Sequence, residues 1–98
     1  MVRINWTFQS KLDLKQIADY ISQDSKKYAK FQILKIKSRT HILKTNMLIG
    51  KVVREIENED IRELIEGRYR IIYKVISKFR IDILTIHHTS RDMTKRKI

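Results

Sequence analysis

The chain has no cysteine, no proline and only two glycines among its 98 residues. Without cysteine there can be no disulfide and no thiolate metal site, which suits a reducing cytoplasm. The two glycines, Gly50 and Gly67, stand alone, so there is no glycine-rich phosphate loop. The three histidines are His41 and the adjacent His87 and His88, and no carboxylate spacing completes a site around them. No metal and no cofactor is expected. No apolar run approaches the ~18–20 residues of a membrane span. The N-terminal MVRINWTFQ lacks the apolar core of a signal peptide. The expectation is a cytoplasmic protein with no membrane partner.

What the chain does have is positive charge. Its formal net charge is +11, and the charge is unevenly spread. Residues 26–54 carry nine Lys or Arg and no acid, and residues 55–66 carry six acids against Arg62 alone. Such a field attracts polyanions and speeds association with them, so an anionic partner is expected, either nucleic acid or an acidic protein. The hydrophobic fraction of 42% is that of a globular chain. The length gives one modest core, and residues 1–98 are read as a single domain with a basic, frayed tail over 94–98.

Arg3 to Phe8 alternates, with Ile4, Trp6 and Phe8 on one side, and reads as a first strand. Ser10-x-x-Asp13 resembles a capping box ahead of a helical stripe at Leu14, Ile17, Ala18 and Ile21. Asp24 or Ser25 can cap a second helix, whose stripe of Ala29, Ile33, Ile36, Thr40 and Leu43 runs to about Lys44. Two helices with so short a link form an antiparallel hairpin. Thr45 to Asp60 has no sustained period and reads as a long connection of the kind that is often functional. Ile61–Ile65, Arg68–Ile76 and Phe79–His88 read as a three-stranded antiparallel meander with turns at Gly67 and Ser77-Lys78. The fold class is therefore α+β, a strand and a helical hairpin followed by the meander, in one sheet covered on one face by the helices. The first strand sits at the sheet edge or pairs non-locally.

Arg70 lies among apolar neighbours on its own strand face, where a cation is costly unless an anion meets it. That anion is either a ligand or a structural partner such as Glu63, Glu66 or Asp82. His88 ends the last strand, where imidazole can serve as a proton-transfer group or as a plain polar terminus. Arg91, three residues on, can bind phosphate bidentately or pair with Asp92 or the acidic segment. Glu55 can supply a second proton-transfer group or simply stand in a solvated acidic loop. Lys30, Lys37 and Lys44 cannot share the buried stripe of the second helix, and project outward.

The order Arg62-Glu63-Leu64, Gly67, Tyr69-Arg70-Ile71-Ile72-Tyr73-x-Val75, strand, His88-x-x-Arg91-Asp92 resembles the plasmid-stabilisation toxins of the ParE/RelE superfamily. The resemblance covers about residues 3–93 and implies the RelE/ParE-like fold. It implies a toxin of a type II toxin–antitoxin pair, held in a hetero-oligomer by a cognate acidic antitoxin. In the RNA-cleaving branch, His88, Arg70 and Arg91 would be catalytic, with Glu55 as a further candidate, acting on mRNA at the ribosome. Those relatives carry two lysines before the turn, whereas this chain has Arg62-Glu63-Leu64, and Glu63 would repel a phosphate. The Arg-Glu-Leu form looks like the ParE branch, whose target is DNA gyrase and which does not cut RNA. A basic nucleic-acid-binding module without toxicity is the third class. Lys30, Lys37, Lys44 and Arg62 are the expected partner contacts.

Overall fold

The computed structural model describes residues 1–89. Arg91, Asp92 and the tail over 94–98 lie outside the described residues. The order is β1 (Arg3–Trp6), α1 (Phe8–Ser22), α2 (Lys26–Arg39), a 3-10 turn (Thr40–Lys44), β2 (Lys51–Val52), β3 (Ile61–Glu66), β4 (Tyr69–Ser77) and β5 (Arg80–His88). The expected class and architecture are the observed ones, with one short strand, β2, added to the sheet. Its five strands run β1-β5-β4-β3-β2, and β1 lies parallel to β5 while the rest are antiparallel.

The first strand thus pairs non-locally and also forms an edge. Asn5 Nδ2 donates to Asp82 Oδ1 at 3.2 Å, and Thr7 Oγ1 donates to the Ile83 carbonyl at 2.7 Å, tying its end to β5. Thr7 is also the cap of α1, because its hydroxyl accepts from the Ser10 amide. The helix begins at Phe8, three residues before the spacing of Ser10 and Asp13 suggests. Ser25 caps α2 by accepting from the Tyr28 amide, as expected for one of the two candidates there.

The helices cover one sheet face. Leu14, Ile36 and Leu43 pack there on Leu64, Ile71, Tyr73, Ile81, Ile83 and Ile86. The connection from Thr45 to Asp60 does more than join elements. It pairs as β2 with β3, then folds back so that Val53 and Ile56 cover Ile61, Ile72 and Leu84 on the opposite face. A two-residue strand has no legible period, which is why only a connection is expected there.

Tyr73 anchors this segment. Its hydroxyl donates to the Met47 carbonyl at 2.8 Å and accepts from the Gly50 amide at 2.9 Å. A Cβ at Gly50 would stand 2.6 Å from Tyr73 Cε1 and 2.8 Å from the Glu63 carbonyl. Gly50→Ala is therefore expected to destabilise by about 1–3 kcal/mol through overpacking, read as a lower denaturation midpoint at unchanged slope. Burial pushes the Tyr73 hydroxyl above its ordinary value, against the Gly50 hydrogen bond and the charge of Arg62. An unfolded chain then loses this proton at lower pH than the folded one. Stability is expected to be intact below the unfolded value of about 10 and to fall as pH rises beyond it, and part of that fall should vanish in Tyr73→Phe.

Gly67, with φ +61°, is the first of two residues between Glu66 and Tyr69, the position that a II′ hairpin turn reserves for glycine. The β4–β5 turn is Lys78-Phe79, one residue later than expected, since Ser77 pairs with Arg80. Ser77 Oγ accepts from the Phe79 amide at 3.1 Å, so a side chain sets the turn where glycine is absent.

Candidate functional site

Alternation on β4 puts Arg70 on the face away from the helices, with Ile72, and β3 brings Glu63 to a diagonal position opposite. The guanidinium Nε donates to Glu63 Oε2 at 2.5 Å. The fold-back of residues 53–57 brings Glu55 onto the same group, with Nη1 to Oε2 at 2.9 Å and Nη2 to Oε1 at 3.2 Å. Arg70 is 8% exposed. The Glu55 carboxylate above all holds the Arg70 guanidinium above its usual value, with Glu63 acting in the same direction and burial opposing it. One cation is thus forked between two carboxylates. A phosphate would have to displace at least one of them and would meet the other as a like charge. Two of the sequence candidates, Arg70 and Glu55, are brought into contact, as an ion pair.

His88 is half-buried and lies edge-on to Tyr69, with ring centroids 5.9 Å apart and planes at 82°. His87 pairs with Arg70 in the ladder but is buried elsewhere, with Nε2 3.1 Å from Thr85 Oγ1. That hydroxyl donates to Asp13 Oδ2 at 2.5 Å, so the imidazole donates from Nε2. Asp13 also accepts from the Ile86 amide at 2.9 Å and from Gln9 Nε2 at 2.9 Å. It closes the stretch of β5 beyond β1, a role that spacing alone assigned to helix capping. Arg62 turns inward. It donates to the carbonyls of Glu59, Leu48 and Gly50 at 3.0, 3.3 and 2.9 Å, and so clamps the 45–60 segment to β3.

The basic groups make a different site. Lys30, Lys37 and Lys44 are exposed and spaced at i, i+7 and i+14. Lys37 lines two adjoining grooves beside the edge strand β1, of about 440 and 430 Å³. Trp6 is common to both. Val2, Ile4, Leu14 and Ile33 supply the apolar floor, while Arg3, Lys11, Lys15 and Lys44 supply the rim, and no acid lines either groove. Among the described residues β1 pairs only with β5, so its outer edge faces no further strand there and offers backbone groups beside this surface. Trp6 and β1 were legible as a strand, but their place beside α2 depends on the non-local pairing with β5.

Among the described residues no group of His, Cys, Asp or Glu could hold a metal ion, and no helix is long and apolar enough to cross a membrane.

The family model for the ParE toxin of the type II toxin–antitoxin system, parDE, matches residues 4–93. Among solved structures, a chain from the chromosomal ParDE TA system of P. aeruginosa is similar at a TM-score of 0.74 and 24% identity. The match covers 92% of this chain and 98% of that one. No curated protein sequence matches. At that identity the structural likeness speaks for the fold. The family model spans nearly the whole sequence, from β1 past the end of β5, and so the chain belongs to the ParE toxin family of type II toxin–antitoxin systems.

Proposed function

We propose that the chain arrests growth by protein contact with DNA gyrase, and that an acidic antitoxin segment neutralises it by docking along the β1 edge and the helical hairpin. The observation that carries the first half is the state of Arg70. An RNA-cleaving site needs cations ready for the developing charge on phosphorus. Here the buried cation of the Tyr-Arg motif is bound by Glu55 and Glu63, an arrangement suited to holding a sheet face together. In cells making the chain without its antitoxin, the expected result is a DNA-damage response and filamentation with transcripts intact. Transcripts cut within codons on ribosomes, with cutting abolished by His88→Ala, would instead establish the nuclease alternative with its mRNA and ribosome partners.

The second half rests on charge and edge geometry. An extended or amphipathic segment laid beside β1 would find apolar Trp6, Ile4 and Ile33 under it and five or more cations around it. Rim charges act mainly on encounter, with a reach that shortens to ~8 Å at physiological salt. Reversing Lys30, Lys37 and Lys44 to Glu is expected to slow antitoxin association roughly 10- to 100-fold at low salt, with the fold unchanged. Stopped-flow association across a salt series checks this. A rate that responds neither to salt nor to the reversal would leave apolar contact as the driver.

A further inference from the structure

The basic face beside β1 has a second property besides its charge, because its cations are interleaved with aromatic rings. Trp6 lines both grooves there, with Lys11 and Lys15 in one, Arg3 and Lys44 in the other, and Lys37 common to the two. Phe79 extends the row. The Arg3 amide donates to the Phe79 carbonyl at 2.7 Å, and Phe79, in the β4–β5 turn, is 66% exposed. Lys78 beside it is exposed as well. A strand advances by about 3.3 Å per residue, so the row Phe79, Arg3, Trp6 takes up about 10 Å of β1.

The fold itself does not use these cations. The ion pairs among the described residues take Lys35, Arg70 and Arg80, whereas Arg3, Lys11, Lys15, Lys37 and Lys44 make none there. A cleft lined by one sign of charge focuses its field and draws in a polyanion. Two kinds of polymer carry such charge. An amphipathic peptide separates its carboxylates and its apolar side chains into different stripes. A nucleic-acid strand alternates phosphates with flat bases, and every base has a π-face that can stack on a ring. Interleaved rings and cations match the second pattern. A single strand fits them better than a duplex, whose bases already stack on one another.

We propose that this face binds single-stranded nucleic acid without reading its sequence, with phosphates on Arg3, Lys37 and Lys44 and bases stacked on Trp6 and Phe79. This is binding alone, with no cleavage step, and it does not rest on the toxin reading. The antitoxin segment placed above covers Trp6 and the same cations but not Phe79, which lines neither groove. Strand and antitoxin therefore exclude each other, and this last point alone rests on that placement.

Trp6 is the only tryptophan of the chain, so its fluorescence reports the site directly. A short oligothymidylate is titrated into the antitoxin-free chain, beside an abasic strand of the same length and polyglutamate. Saturable quenching by oligothymidylate is expected, with a log–log salt slope of about −2 for the three phosphate contacts. The abasic strand is expected to bind at least about tenfold more weakly, and polyglutamate without comparable quenching. Phe79→Ala is expected to weaken oligothymidylate about tenfold through the lost stacking, with an unchanged thermal midpoint because the ring is exposed. Lys37→Glu with Lys44→Glu is expected to abolish binding at physiological salt. Absence of quenching, or quenching by polyglutamate at equal affinity, overturns the nucleic-acid site and leaves a surface for acidic peptides. An abasic strand bound as tightly as oligothymidylate, or full affinity in Phe79→Ala, overturns the stacking on which the choice of nucleic acid rests. A strand that stays bound under saturating antitoxin overturns their exclusion and moves the antitoxin to another face, while the quenching still supports the strand site.

Discussion

Induced expression of this chain without an antitoxin is expected to reduce bacterial colony formation by several orders of magnitude, and co-expression of the cognate antitoxin is expected to restore it. The size of the effect follows from the proposed mode of action. A protein inhibitor of an essential enzyme need only reach its target at a concentration above Kd. A field of +11 on 98 residues favours fast encounter with any anionic surface. Membership of the ParE toxin family supports the expectation. Normal colony numbers under verified expression of soluble, folded chain would count heavily against growth inhibition as the function.

The second large effect is on stability. Arg70→Ala is expected to destabilise the fold by about 3–5 kcal/mol, because it removes the buried cation that both carboxylates bind and leaves Glu55 and Glu63 as neighbouring, partly buried like charges. Against a total of about 5–15 kcal/mol for a domain of this kind, that is enough to lower Tm by roughly 15–30 °C. The loss belongs to the like charges left side by side more than to the missing contacts. Replacing all three groups together, as Arg70→Met with Glu55→Met and Glu63→Leu, is expected to recover most of it. Thermal denaturation of both variants checks the pair of outcomes. A mild loss in Arg70→Ala would mean that the forked ion pair contributes little to the sheet. A large loss in the triple variant as well would mean that the side-chain shapes, not the charges, decide.

Much of this was legible because it is local. The meander shows in the alternation from Tyr69 to Val75 and in Gly67, whose positive φ the II′ turn requires. The helices show in their stripes, and Ser25 in its place before α2. The Glu63 partner of Arg70 was among the candidates because a hairpin register fixes diagonal neighbours. Other features depend on contacts between distant segments. The parallel pairing of β1 with β5 joins residues 77 apart, such as Arg3 and Arg80, and no local pattern encodes it. Glu55 reaches Arg70 only because Val53 folds back onto the far face, so an acid in a charged run looks solvated until that packing is seen. Asp13 follows Ser10 at the spacing of a capping box, but it lies within α1, and its Oδ2 serves Thr85 and Ile86 far along the chain. Arg62, one of the expected partner contacts, also donates to carbonyls of the preceding segment, which wraps around β3.

The most direct test of contact with gyrase, as opposed to RNA cleavage, uses purified components. The chain is added to DNA gyrase in a supercoiling assay, and separately to ribosomes programmed with mRNA. The expected result is loss of supercoiling that rises with toxin concentration and is reversed by antitoxin, with the mRNA left uncut. Full supercoiling beside site-specific mRNA cleavage that disappears in His88→Ala would contradict it.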